Sequence, residues 1–142
     1  MTTKPDMRVA IAGGITTVLY IPGSGTNIGG QGILVKTAFD RFEENLVRNP
    51  GSMKLAQWGN PESWGPGVAM SFENWNTREV ITRGVAYAKR WKAFEEGKGP
   101  EPRRNIGLDV FRDLVAREIA IAVHTQVYQV VLMTITMIAG EF

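Results

Sequence analysis

The sequence has no cysteine and a single histidine, His124. The first absence excludes a disulfide-stapled fold, a thiolate metal site and a cysteine nucleophile. The second excludes a three-histidine metal centre and any mechanism that needs two imidazoles from one chain. Charge of one sign is also scarce: 16 Lys plus Arg stand against 14 Asp plus Glu, a net +2, with a sequence pI of about 9.1. So small an excess, spread along the chain, gives no electrostatic footprint for nucleic acid, which is not expected as a partner. The start, MTTKPDMRVA, lacks the apolar core and small-residue cleavage site of a signal peptide, and a cytoplasmic location is favoured. What is present is 142 residues, 44% hydrophobic and 21% charged: the length of one domain, with apolar side chains enough for a core.

One long uncharged run needs a decision. Residues 119–140 carry no formal charge and are numerous enough to cross a bilayer. Against that, the run holds His124, Gln126, Gln129 and three threonines, all costly among lipid tails, and it lacks a basic flank. It reads instead as a buried strand ending at His124 followed by a buried helix, and no membrane partner is expected.

The remaining pattern alternates strands and helices. A short helix around residues 8–12 stops at Gly13-Gly14. Residues 15–21, ITTVLYI, are β-branched and uncharged, as in a strand buried on both faces. The glycine-rich stretch 23–32 leads into a second short strand at 32–37. Residues 38–47 place Phe39, Phe42 and Leu46 at helical spacing, Asn49-Pro50-Gly51 reads as a turn, and 53–57 as a third strand. The stretch 58–76, with Trp58, Trp64 and Trp75, reads as an ordered loop. A long helix capped by Asn76 or Thr77 runs to about Glu96, and a second occupies about 106–118. This order predicts a parallel α/β sheet. A closed (β/α)8 barrel needs about 250 residues, so the chain would supply part of one.

Candidates for chemistry follow from these positions. The glycine-rich loop is either a tight connection or a substrate-pocket wall, with Ser24, Asn27 and Gln31 the candidate lining residues. Its spacing does not fit a dinucleotide or P-loop fingerprint. His124 at a strand end is either a satisfied structural histidine or a side chain facing the mouth of a barrel, where imidazole serves as a metal ligand. Lys54 is either a surface lysine of an edge strand or, facing that mouth, an anion-binding or carboxylated, metal-bridging group. Lys36 shares the ambiguity. Asp40, Glu43, Glu44, Asp109 and Asp113 read as solvated helix faces.

Three segments carry a resemblance. AIAGGITTVLYIPGSGTNIGGQGILVKT (10–37), MKLAQWGNPE (53–62) and YAKRWKAFEEGKGPEPRRNIGLDVFRDLVAREIAIAVHTQ (87–126) are similar to the metal-dependent amidohydrolase superfamily, in its imidazolonepropionase-like and dipeptidase-like branch. The resemblance implies a partial (β/α)8 TIM barrel, about strands 2–5 with their helices, as one partial catalytic domain over residues 1–142. It implies hydrolysis of an amide or cyclic amide, in a small or peptide-like substrate, by water activated on a divalent metal, zinc being expected. His124 matches the strand-5 metal ligand and Lys54 the strand-4 lysine that is often carboxylated. Where many relatives read V-H-A-H-R, this chain has Val123-His124-Thr125-Gln126-Val127. Gln126 can bond a substrate or water but is a poor metal ligand. The other family ligands have no match here, so no tightly bound metal and no activity are expected of the chain alone, and an open sheet edge should make it self-associate. The alternative is a non-enzymatic α/β module that binds or assembles through the tryptophan-rich loop and the sheet edge.

Overall fold

The computed structural model describes residues 5–58 and 69–142. Along the chain come α1 (Pro5–Ala12), β1 (Thr17–Tyr20), β2 (Ile28–Lys36), the single turn α2 (Phe42–Asn45), β3 (Leu46–Ala56), α3 (Met70–Glu95), α4 (Val110–Val115), β4 (Ala120–His124) and α5 (Tyr128–Glu141). The four strands form one curled half-barrel sheet in the order β1-β2-β3-β4.

The sheet is mixed, not parallel as expected. β2 runs antiparallel to both neighbours, and only β3 and β4 pair in parallel. Connection length is the reason. A parallel neighbour needs a crossover of about a dozen residues or more, whereas short links join antiparallel strands. Residues 21–27 contain no helix and residues 37–45 only one turn of it, so β1, β2 and β3 follow one another antiparallel. The β3–β4 connection carries α3 and α4 and makes the parallel pair. Consequently β1, β3 and β4 point the same way, with β2 reversed between β1 and β3.

Several local expectations change for related reasons. The strand at 15–21 is not buried on both faces: β1 is an outer strand, with Leu19 39% and Tyr20 45% exposed. β2 starts at Ile28, inside the glycine-rich stretch, and β3 runs straight through Asn49-Pro50-Gly51 in place of the expected turn. The apolar spacing at 38–47 yields only α2. Asn45 accounts for this, accepting from the Phe39 amide and donating to the Phe39 and Arg41 carbonyls, which ties off the turn while Leu46 and Val47 enter β3. α3 begins at Met70 rather than at Asn76 or Thr77, and α4 is limited to six residues. Trp64 lies outside the described residues, so the loop expected at 58–76 is described only at its ends; Trp75 sits in α3, 59% exposed.

The core forms where α3 and α4 cover one face of β3 and β4. Met53, Ile81, Ala88, Val110, Phe111 and Ile119 are its buried members, with Ile121 and Ile138 packed against them. α3 approaches α4 closely because Gly84 has no side chain: a Cβ there would overlap the Phe111 ring. Beside this contact, the Tyr87 hydroxyl donates to Asp109 (2.6 Å) and accepts from the Asn105 amide, while Arg104 Nε donates to Asp109 (2.9 Å). Asp109 is therefore half-buried in a network rather than on a solvated face, and the Tyr87 hydrogen bond, followed by Arg104, holds its carboxyl below the usual range.

The C-terminal run is a strand and then a helix, but neither is fully buried. β4 is the other outer strand of the sheet, and α5 buries Val130, Thr134 and Met137 while Leu132 and Ile135 face outward. No described helix is long and apolar enough to cross a membrane.

Candidate functional site

Register decides which residues share a face. In the parallel β3–β4 ladder, Lys54 is opposite Ala122 and Ala56 opposite His124. Because side chains alternate along a strand, Lys54, Ala56, Ala122 and His124 lie on one sheet face. Met53, Leu55, Ile121 and Val123 lie on the other, the face that α3 and α4 cover. The only histidine and the most buried lysine candidate thus stand on neighbouring parallel strands, at their carboxyl ends, on the face turned away from the helices.

Lys54 is not on an edge strand: β3 is interior to the sheet, and Lys54 is 3% exposed. Its Nζ donates to Ser24 Oγ at 2.8 Å. Gly29 lies over its stem, since a Cβ there would stand 3.1 Å from Lys54 Cγ. The glycine-rich segment therefore folds down on the lysine, which no side chain larger than hydrogen at residue 29 would allow without displacement. Burial pushes the ammonium pKa below its ordinary value. Lys36, by contrast, is exposed at the end of β2.

His124 is half-buried, and the Gln126 amide nitrogen lies 3.3 Å from its Nε2. With the imidazole proton on Nδ1, the unprotonated Nε2 accepts from the Gln126 amide. The Gln57 amide donates to the His124 carbonyl at 3.0 Å, which fixes the backbone where β4 ends.

The other candidates separate. Ser24 joins Lys54, and Gln126 joins His124. Gln31 pairs with Met53 and so belongs to the opposite face, away from both. Asn27 is buried and fully engaged: its Nδ2 lies within hydrogen-bond distance of the Ala56 carbonyl (2.8 Å), Gln57 Oε1 and Thr77 Oγ1, and its Oδ1 accepts from Asn76 (2.8 Å). Thr77 in turn donates to Gln57 (2.6 Å). This cluster clamps the glycine-rich segment to the end of β3 and the start of α3, and Asn27 has no bonding capacity left for a ligand.

The sequence pattern gives no functional signal at Gln57, Asn76 or Thr77. Asn27 and Thr77 are 50 residues apart, and no local pattern announces such a contact. Glu73, fully buried in the first turn of α3, is equally silent in the sequence; there a carboxylate faces the positive end of the helix dipole.

The donor set decides whether a metal fits. Among the described residues no three of His, Cys, Asp and Glu come together as a possible metal site. The face offers one imidazole, whose Nε2 is in contact with Gln126, and one lysine amine bound to Ser24. These residues do not by themselves fit a metal ion.

No protein-family model and no curated protein matches the chain. Among solved structures, an amidohydrolase from Thermotoga maritima MSB8 is similar over 99% of this chain, with a TM-score of 0.81 and 25% sequence identity. The chain folds like part of an amidohydrolase. It spans 38% of that protein's length. The amidohydrolase likeness supports a hydrolase-like origin for the chain.

Proposed function

We propose that this chain is the central part of a metal-dependent amidohydrolase barrel of the imidazolonepropionase-like branch, cleaving a C–N bond of an amide or cyclic amide, and inactive in isolation. The observation that carries this reading is the placement of Lys54 and His124 on one face, at the carboxyl ends of adjacent parallel strands, where barrel enzymes build their sites. Completed by ligands from other strands, such a barrel would draw on these two residues to hold a metal that activates water, Lys54 after carboxylation. The depressed lysine pKa supports this, because only the neutral amine reacts with carbon dioxide. Ser24 and Gln126, bonded to the two residues, line the pocket for a small or peptide-like substrate.

Two experiments test the proposal. In the first, the purified chain is loaded with zinc and dialysed. Far less than one zinc per chain is expected to remain, and one retained zinc per chain would overturn its inactivity for want of ligands. In the second, the chain replaces the matching segment of the Thermotoga amidohydrolase. Metal-dependent amide hydrolysis should fall by ~10–100-fold on His124→Gln, as for loss of a group that supports a metal. A folded, active chimera indifferent to that change would remove His124 from the site.

A second reading has its own observation. The Phe72 and Trp75 rings lie in tilted contact with centroids 5.8 Å apart and both are exposed, a surface suited to a non-enzymatic binding module. That reading requires the chimera to tolerate His124→Gln.

A further inference from the structure

We propose that the groove between α3 and the 103–108 segment leading into α4 is a binding site for an oligophosphate anion or its organic ester. A cavity of about 730 Å3 lies there, lined by Arg83, Arg90, Arg103 and Arg104 with Ile106, and no aspartate or glutamate lines it. It shares no residue with the Lys54–His124 face, and the proposal does not depend on the hydrolase reading.

The pairing of the arginines carries the argument. Several arginines elsewhere are engaged by the protein: Arg41 pairs with Glu43, Arg78 with Glu141 and Arg112 with Glu95, and Arg48 donates to the Glu118 carbonyl. Within the groove, Arg104 is paired with Asp109 at 2.9 Å. Arg83, Arg90 and Arg103 are exposed, and none has a carboxylate partner among the described residues. Three uncompensated guanidiniums around one concavity raise its positive potential and attract an anion. Arg90 and Arg103 also border an adjoining cavity of about 350 Å3, whose one lining carboxylate is Glu101.

Spacing narrows the ligand. Arg83 and Arg90 lie seven residues apart on α3, the same helix face two turns on, about 10 Å along the axis. Extended side by side, these guanidiniums cover more length than one phosphate spans, which favours a ligand carrying several anionic groups along its length. Guanidinium forks match phosphate oxygens two at a time. Ile106, 78% exposed on the same wall, gives an organic substituent an apolar surface to lie on. The volume is that of a small-molecule site.

The test is isothermal titration calorimetry of the full chain at low salt, with inorganic tripolyphosphate as the probe and orthophosphate as its comparison. The expected result is one saturable site that binds tripolyphosphate at least ~10-fold more tightly than orthophosphate and weakens as salt screens it. Arg90→Ala and Arg103→Ala should each weaken binding ~10-fold or more, as for loss of a charged hydrogen bond. Arg41→Ala, at another surface, should leave it unchanged. All three side chains are exposed, and unchanged circular dichroism would confirm intact variants. Titration without saturation would overturn the proposal, as would equal affinity for the two phosphates, wild-type affinity in both groove variants, or an equal loss in Arg41→Ala.

Discussion

Lys54 shows how one residue's environment can reverse its reading. A lysine flanked by Met53 and Leu55 has the sequence of a surface strand with its ammonium in water, yet β3 lies inside the sheet and Gly29 and Ser24 cover it. Burial lowers its pKa from the ordinary 10.5. The sign of the consequence is fixed by proton counting: in the window below 10.5 the unfolded chain binds the Lys54 proton more firmly than the folded chain. Stability relative to a variant without the amine must therefore rise with pH up to that value. Urea melts of wild type and Lys54→Met across alkaline pH should show wild type gaining on the variant as pH rises through the lowered folded-state pKa toward 10.5. A gap independent of pH would mean that the amine is not desolvated. Asp109 makes the complementary case, since a carboxylate with the look of a helix surface is held ionised by Tyr87 and Arg104.

At the scale of elements, α3 against α4 is the contact that sets the core. Gly84 sits in the middle of a 26-residue helix, where alanine would ordinarily be better by about 1 kcal/mol. Here a Cβ would run into the Phe111 ring, and Phe111 is buried in the core. Overpacking of that kind costs about 1–3 kcal/mol, so it outweighs the propensity gain. Gly84→Ala should lower the denaturation midpoint, with Phe111→Leu in the same chain restoring part of the loss. A stabilised Gly84→Ala protein would show that α4 can move away freely. Beyond this contact, the paired strands explain why short links matter: the glycines and the single turn α2 leave no room for a crossover, and β2 is reversed as a result.

The whole molecule is a sheet with two outer strands, β1 and β4, and apolar side chains exposed on both: Leu19 and Tyr20 on one, Val123 on the other. Edges of this kind pair with other strands unless charge or cover prevents it. Self-association that rises with concentration is expected in light scattering, and Leu19→Lys should reduce it by placing a charge on the β1 edge. A monodisperse monomer across the accessible concentration range would count against this. The amidohydrolase likeness gives the same picture from outside, because the chain spans 38% of that structure, and a half-barrel of four strands has edges where further strands can pair.

Much of what depends on neighbours along the chain is legible in the amino-acid sequence. The helix ending before Gly13-Gly14, the long helix closing at Gly97, the strand ending at His124 and the helix after it all follow from periodicity and stop signals. The motifs of residues 10–37 and 87–126 likewise point to the amidohydrolase fold. Whatever depends on partners distant in sequence is settled by the tertiary structure. Strand direction comes from how the links pack, the exposure of β1 from its place at the sheet's edge, and the burial of Lys54 from a segment 30 residues earlier folding over it. The clamp of Asn27, Gln57 and Thr77 is of the same kind. Hydrogen bonds and burial are set by three-dimensional proximity, and apolar spacing in one dimension reports only which side chains seek cover, not what covers them.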